Sequence, residues 1–194
     1  MKHPLFLPVL LLAGMLTGCG GGDFTPKPTA YLRIDLPTKH YIICDTAALP
    51  FRFERAADCE VVWKNSKRNE TWVDLYYPRL RGVVYLSYKD INGIQDLRAQ
   101  IDTSYKFLSM HYDHSSGIDE RQYVDPGRRV YATTNRLQGT HVASTYQFWV
   151  TDSSRHFLRG SLYLDYTPNN DSLAPVIEYL QADINHLIET LQWR

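Results

Sequence analysis

From Tyr31 onward the chain switches between two hydrophobic periods, and the switches mark out strands and helices. Short runs rich in Val, Ile, Tyr, Trp and Phe come first: Tyr41–Cys44, Phe51–Glu54, Glu60–Trp63, Thr71–Tyr77 and Val83–Tyr88. β-Branched and aromatic residues suit a pleated, half-buried surface, and Pro, Asn and charged residues bound each run, so these are predicted strands. Asn65-Ser66-Lys67-Arg68-Asn69 is a predicted solvated turn. Apolar positions then step by three or four through Ile94, Leu97, Ile101, Tyr105, Leu108 and Tyr112, which makes one helical stripe that Asp90 or Asn92 can cap. Four more strands follow, near Ile118–Val124, Arg129–Leu137, Thr145–Thr151 and His156–Tyr166, with Asp125-Pro126-Gly127 and Asp152-Ser153-Ser154 as turns. Val176, Ile177, Leu180, Ile184, Leu187, Ile188 and Leu191 form a last, strongly amphipathic helix, with Ser172 as its expected cap and Pro175 in its first turn.

Consecutive strands joined by short turns pair antiparallel, so the expected class is α+β: an antiparallel β-sheet packed by a mid-chain helix and a long C-terminal amphipathic helix. One arrangement that this element order allows is a PsbP/Mog1-like sandwich. The later strands have two unlike faces. Leu158, Leu162 and Leu164 share a face with Gly160, whose missing side chain is expected to let a helix approach. Tyr146, Phe148, Val150, Val130 and Ala132 continue that apolar face. The opposite face mixes aromatic, hydroxyl, amide and cationic groups, and Tyr131, Trp149, Arg159 and Tyr163 are the candidate partner-binding face. The alternative is a second layer, in which the mid-chain helix covers that face and Arg159 pairs with a carboxylate.

The first residues read as an address. Met1-Lys2-His3 is basic, and Leu5 to Leu16 is apolar but too short for a stable membrane span, the proportions of a secretory signal. It ends in Leu16-Thr17-Gly18-Cys19, which resembles the lipobox of bacterial lipoproteins, with Cys19 as the lipid-bearing residue. The expected layout is therefore a signal peptide over 1–18, a lipid-anchored flexible tether over 19–30 containing Pro26-Lys27-Pro28, and one α+β domain over 31–194. The tether lacks an acidic run directly after the cysteine; such a run would resemble the surface-export signal of Bacteroidetes lipoproteins, so its lack implies a domain facing the periplasm. In that oxidising compartment Cys44 and Cys59 are either a disulfide or two buried free thiols.

Charge narrows the function. With 21 Lys+Arg against 21 Asp+Glu the net charge is zero, which argues against nucleic acid as a partner. His111-Tyr112-Asp113-His114 has ligand-like residues, but Ser115-Ser116-Gly117 follows at once, so a fraying helix end is the simpler reading than a metal site. Asp152, His156 and the serines between them lack the G-x-S-x-G context of a hydrolase elbow. No catalytic residue, metal or cofactor is expected beyond the covalent lipid.

Several segments together resemble one family. They are Tyr31-Leu32-Arg33-Ile34-Asp35-Leu36-Pro37, Leu86-Ser87-Tyr88-Lys89, Phe148-Trp149-Val150-Thr151-Asp152-Ser153 and His156 through Tyr163. Pro168 through Val176, His186-Leu187-Ile188-Glu189-Thr190 and Trp193 complete the set, in order along the chain. This resembles the GldD family of gliding motility lipoproteins of Bacteroidetes. The resemblance implies an accessory role in gliding motility and type IX secretion through contacts with other proteins of that machinery, at the periplasmic face of the outer membrane. Of residue roles it transfers only Cys19. The alternatives are a lipoprotein that binds a small ligand or cell-wall glycan, and a hydrolase using His111, His114 or His156.

Overall fold

The structure, a computed structural model, describes residues 34–64 and 70–194. The signal peptide, Cys19, the tether and the expected turn at Asn65–Asn69 lie outside them. Seven strands form one antiparallel sheet: β3 (Glu60–Trp63), β4 (Glu70–Tyr77), β5 (Gly82–Asp90), β9 (His156–Leu164), β8 (Tyr146–Thr151), β7 (Val130–Gln138) and β6 (Gly117–Asp125), in that spatial order. A second, three-stranded sheet runs β1 (Tyr41–Cys44), β2 (Phe51–Ala56), β10 (Gln192–Trp193). Two helices complete the α+β architecture, α1 (Gly93–Ser109) between β5 and β6, and α2 (Asn170–Thr190) after β9. Short 3-10 turns at Pro78–Leu80 and Tyr112–His114 link elements.

Register explains which side chains meet. Leu86 lies opposite Gly160, and Gly160 opposite Phe148; Val84, Leu162 and Tyr146 make the next row, and Tyr88, Leu158 and Val150 the one beyond. These rows are the sheet's inner face and are buried. They form one core with Leu180, Ile184, Leu187 and Ile188 of α2 and with Phe51 and Phe53 of β2. Helix period and strand period thus present their apolar residues to one interior.

Polar contacts fix α2 against the smaller sheet. The Tyr41 ring stacks on His186 at 3.7 Å, and its hydroxyl donates to Asp183 at 2.9 Å. Lys39 also pairs with Asp183, and His186 Nε2 lies 2.7 Å from Glu54. At the other end of the helix the Arg128 guanidinium donates to the carbonyls of Glu189 and Leu191, where a cation favours the helix dipole.

The structure corrects the reading of Gly160 and of the α2 cap, and decides between the two alternatives for the cysteines. Gly160 does not admit a helix: a Cβ there would stand 2.2 Å from the Phe148 ring, so the glycine makes room for the neighbouring strand's aromatic. The glycine under α2 is Gly82, where a Cβ would meet Leu180 Cδ1 at 2.7 Å. Ser172 is not the cap; α2 starts at Asn170, which places Pro175 beyond the first turn, and Asn170 Nδ2 donates to the carbonyls of Gly139 and Val142. Cys44 and Cys59 are free buried thiols rather than a disulfide: Cys44 sits opposite Phe53 at the loop end of the β1–β2 hairpin, while Cys59 follows Ala56 at its open end. Burial pushes the Cys59 thiol up to about 12, against the opposing pull of Arg55.

The two glycines give a graded prediction. Gly160→Ala forces a methyl into a rigid ring on a buried strand and should lower unfolding free energy by about 3 kcal/mol. Gly82→Ala meets the movable ends of Leu180 and Leu164 and should cost clearly less, which urea denaturation of both variants would measure.

Candidate functional site

The outer face of the seven-stranded sheet carries the unusual chemistry. Register sets its rows: Trp72, Ser87, Arg159, Trp149 and Thr133 in one, and Asp74, Tyr85, Ser161, Gln147 and Asn135 in the next. Helix α1 lies across β8 and β9 on this face. It holds on through two small apolar clusters. Leu97 and Ile101 pack with Ile91, Phe157 and Trp149, and Leu108 and Tyr105 pack with Leu137 and Val142. Between the clusters the contact is polar. Arg159 Nη2 donates to Gln147 Oε1 at 2.9 Å, and its guanidinium lies 4.6 Å from the centre of the Phe107 ring. Burial pushes the Arg159 guanidinium below its ordinary range, with Tyr163 opposing that shift. Asn135 Oδ1, Gln147 Nε2 and Trp149 Nε1 are buried there without a protein hydrogen-bond partner.

The four candidate face residues therefore part company. Trp149 stacks on Phe157 at 6.0 Å under α1, and Arg159 is half-buried at the flank of the helix. The second-layer alternative describes this region, except that Arg159 finds an amide and a ring in place of a carboxylate. Tyr131 is three strands from β5, opposite Thr151 and Val124. Tyr163 stays on the uncovered part, its ring 5.6 Å from that of Tyr85.

What α1 leaves open is a groove over β3, β4 and β5. One section, about 480 Å³, includes Val62, Tyr76, Tyr85 and Tyr163. The adjoining section, about 330 Å³, includes Trp72, Ser87 and Arg159, and Lys64, Asp74 and Tyr85 line both. A third section continues past Trp72 and Arg159 to Phe107 and the Glu70–Lys89 pair. Sequence reasoning missed Trp72, Tyr76, Tyr85 and Phe107. The period-2 signal for the first three was present in Thr71–Tyr77 and Val83–Tyr88, but which face α1 would cover was not.

The histidines are placed apart from this groove or at its margin. The Tyr88 hydroxyl donates to Asp90 at 2.6 Å and meets His156 Nδ1 at 2.8 Å, while the His156 ring stacks on Trp193 at 5.0 Å. Asp152 does not address that ring. It accepts the backbone N–H groups of Ser154, Arg155 and His156, and the Ser154 hydroxyl. Burial alone would raise the Asp152 carboxyl, but these donors outweigh it and hold the group at about 2. His111 stands edge-on to Tyr163 at 6.4 Å, and His114 lies in the following 3-10 turn. Among the described residues no cluster of three or more His, Cys, Asp or Glu forms a metal site.

Comparison with known proteins completes the picture. The family model for the gliding motility lipoprotein GldD matches residues 21–193. The chain belongs to the GldD lipoprotein family. No curated protein matches the chain. Among solved structures, the solution structure of cyanobacterial PsbP (CyanoP) from Synechocystis sp. PCC 6803 is similar, with a TM-score of 0.49 and 11% sequence identity over 84% of this chain and 98% of that one. The outer-face groove is thus a feature of a GldD-family chain. Among its described residues no helix is long and apolar enough to cross a membrane.

Two predictions follow from the placement of these side chains. Trp149→Ala should destabilise the fold by about 3 kcal/mol because it empties the space under α1. Tyr85→Ala, at a position 46% exposed, should stay within about 0.5 kcal/mol, and chemical denaturation separates the two. For Asp152 the folded pKa of about 2 lies below the ordinary 3.8. Its stabilisation is therefore complete above pH 3.8 and lost as pH falls toward 2, so Asp152→Asn should flatten that part of the stability-pH curve.

Proposed function

We propose that this GldD-family chain is a lipid-anchored accessory component of the gliding motility and type IX secretion machinery, and that it works through protein contacts rather than catalysis. In this reading residues 1–18 are a signal peptide, Cys19 carries the lipid, 19–30 form the tether, and 31–194 form the working domain at the periplasmic face of the outer membrane. Family membership supports the motility context. The observation that carries the contact reading is the groove beside α1, where Trp72, Tyr85, Tyr163 and Arg159 lie together. Trp, Tyr and Arg are the side chains that most often dominate binding energy at protein interfaces. A second reading, a cell-wall glycan in the same groove, is favoured by the aromatic lining alone.

The experiment pairs anchorage with contact. Cys19→Ala should move the protein from the membrane to the soluble fraction and impair gliding. Tyr85→Ser with Tyr163→Ser should leave abundance and membrane attachment unchanged, yet abolish gliding and the crosslinks formed in membranes by the native chain. Retained crosslinks and gliding in the double variant would remove the groove from the contact surface.

A further inference from the structure

Among the described residues, the cations around the groove are neutralised one by one, with the exception of Arg159. Lys64 Nζ lies 3.1 Å from Asp74, Lys89 Nζ 2.8 Å from Glu70, and Arg81 Nη2 2.9 Å from Asp165. Arg159 has no such partner. Among the described residues no carboxylate pairs with it, and its guanidinium meets the Gln147 amide and the Phe107 ring. A guanidinium this far out of water normally finds an anion, because its desolvation otherwise goes uncompensated. Guanidinium is also the side chain whose planar fork fits a carboxylate with two parallel hydrogen bonds.

The surroundings define what else an anionic ligand would touch. Register places Ser87 between Trp72 and Arg159 in one cross-strand row. Both residues line the same groove section, so a hydroxyl and an indole flank the guanidinium. Tyr85 is two residues from Ser87 on β5, and Tyr163 lies beside Tyr85. Outer-face positions Val83, Tyr85, Ser87 and Lys89 thus recur every second residue, a spacing of about 6.6–6.8 Å. An extended peptide repeats its same-face side chains at that same spacing, so a segment running along β5 would keep register with these positions.

We propose that Arg159 anchors a carboxylate subsite, and that the groove takes an extended segment of a partner protein with an Asp or Glu side chain on Arg159 and apolar side chains on Trp72, Tyr85 and Tyr163. This rests on the protein-contact reading above and adds the chemistry of the contacted segment. Arg159 sets the position of the acid, Tyr85 lies one extended-peptide repeat further along, and Tyr163 lies two repeats along.

Panning a phage library of random nine-residue peptides on the full-length protein in detergent tests this. The enriched peptides should carry Asp or Glu next to apolar residues. Replacing that acid by its amide should weaken binding by at least about tenfold, as should Arg159→Gln in the protein, with Arg159→Lys retaining part of the affinity. Tyr85→Ala should weaken binding with unchanged unfolding. If Arg159→Gln fails to fold, the acid-to-amide comparison on the native protein and Tyr85→Ala still decide. Failure to select any peptide, selection of peptides without an acid, or indifference to the amide substitution would overturn the carboxylate subsite. Preferential binding of a carboxylated oligosaccharide, probed with oligogalacturonate, would overturn the peptide as its occupant. If peptide binding fails while the membrane crosslinks still depend on Tyr85 and Tyr163, the subsite falls and the protein-contact reading stands. Loss of both would remove the groove altogether.

Discussion

A seven-stranded sheet has two faces to keep from water, and the described residues supply two helices to do it with. The long helix α2, with the small sheet β1–β2–β10, satisfies the inner face: Val84, Leu86, Phe148, Leu158 and Leu162 are buried in one core with Leu180, Ile184 and Leu187. The shorter helix α1 covers β7, β8 and β9 on the outer face. The remaining outer surface, over β3 to β5, must therefore be tolerable to water, and its residues show how. Tyrosine hydroxyls, Ser87, and the Lys64–Asp74 and Glu70–Lys89 pairs sit among the rings. The groove follows from the mismatch between sheet width and helix supply.

The same mismatch makes the α1 layer unlike the α2 layer. Its apolar contact is split into two clusters, and the polar atoms of Asn135, Gln147 and Trp149 lie between them without protein partners. Unpaired buried polar atoms subtract from stability. Met110, Ile94 and Phe107 remain exposed on or beside α1. The inner layer therefore carries most of the fold's stability, and the outer layer shapes the surface.

Element type was legible almost throughout, because both periods are strongly expressed. The strands at Tyr41–Cys44 and Glu60–Trp63 begin and end where the apolar runs do. Strand β10 was not legible, since two residues carry no period, and Trp193 is placed by its indole donating to the Arg129 carbonyl and by stacking on His156. Gly160 was legible as a close approach but not as to what approaches, because that depends on the register that sets Phe148 opposite it. The mixed face was read from Tyr131, Trp149, Arg159 and Tyr163, all on later strands. Its uncovered half also takes in Trp72 and Tyr85 on β4 and β5, because helix docking is a tertiary event that the alternation within a strand does not encode.

The neutral charge of the chain, 21 basic against 21 acidic residues, bears on how the proposed contact surface would select a partner. With local pairing at Lys64, Lys89 and Arg81, little field extends beyond a screening length, so long-range steering contributes little to association. Selection must then arise on contact, from shape, ring placement and the few polar groups left without a match. Arg159 is such a group, and the inner surface of α1 cannot satisfy it because the helix brings Phe107, Ser104 and Tyr105 to that flank rather than an acid. An anion supplied from outside meets a guanidinium already held by Gln147 and Phe107, so little side-chain freedom is lost on binding. Discrimination would therefore rest on this one pre-positioned cation, framed by rings that tolerate many apolar neighbours but do not replace a missing carboxylate.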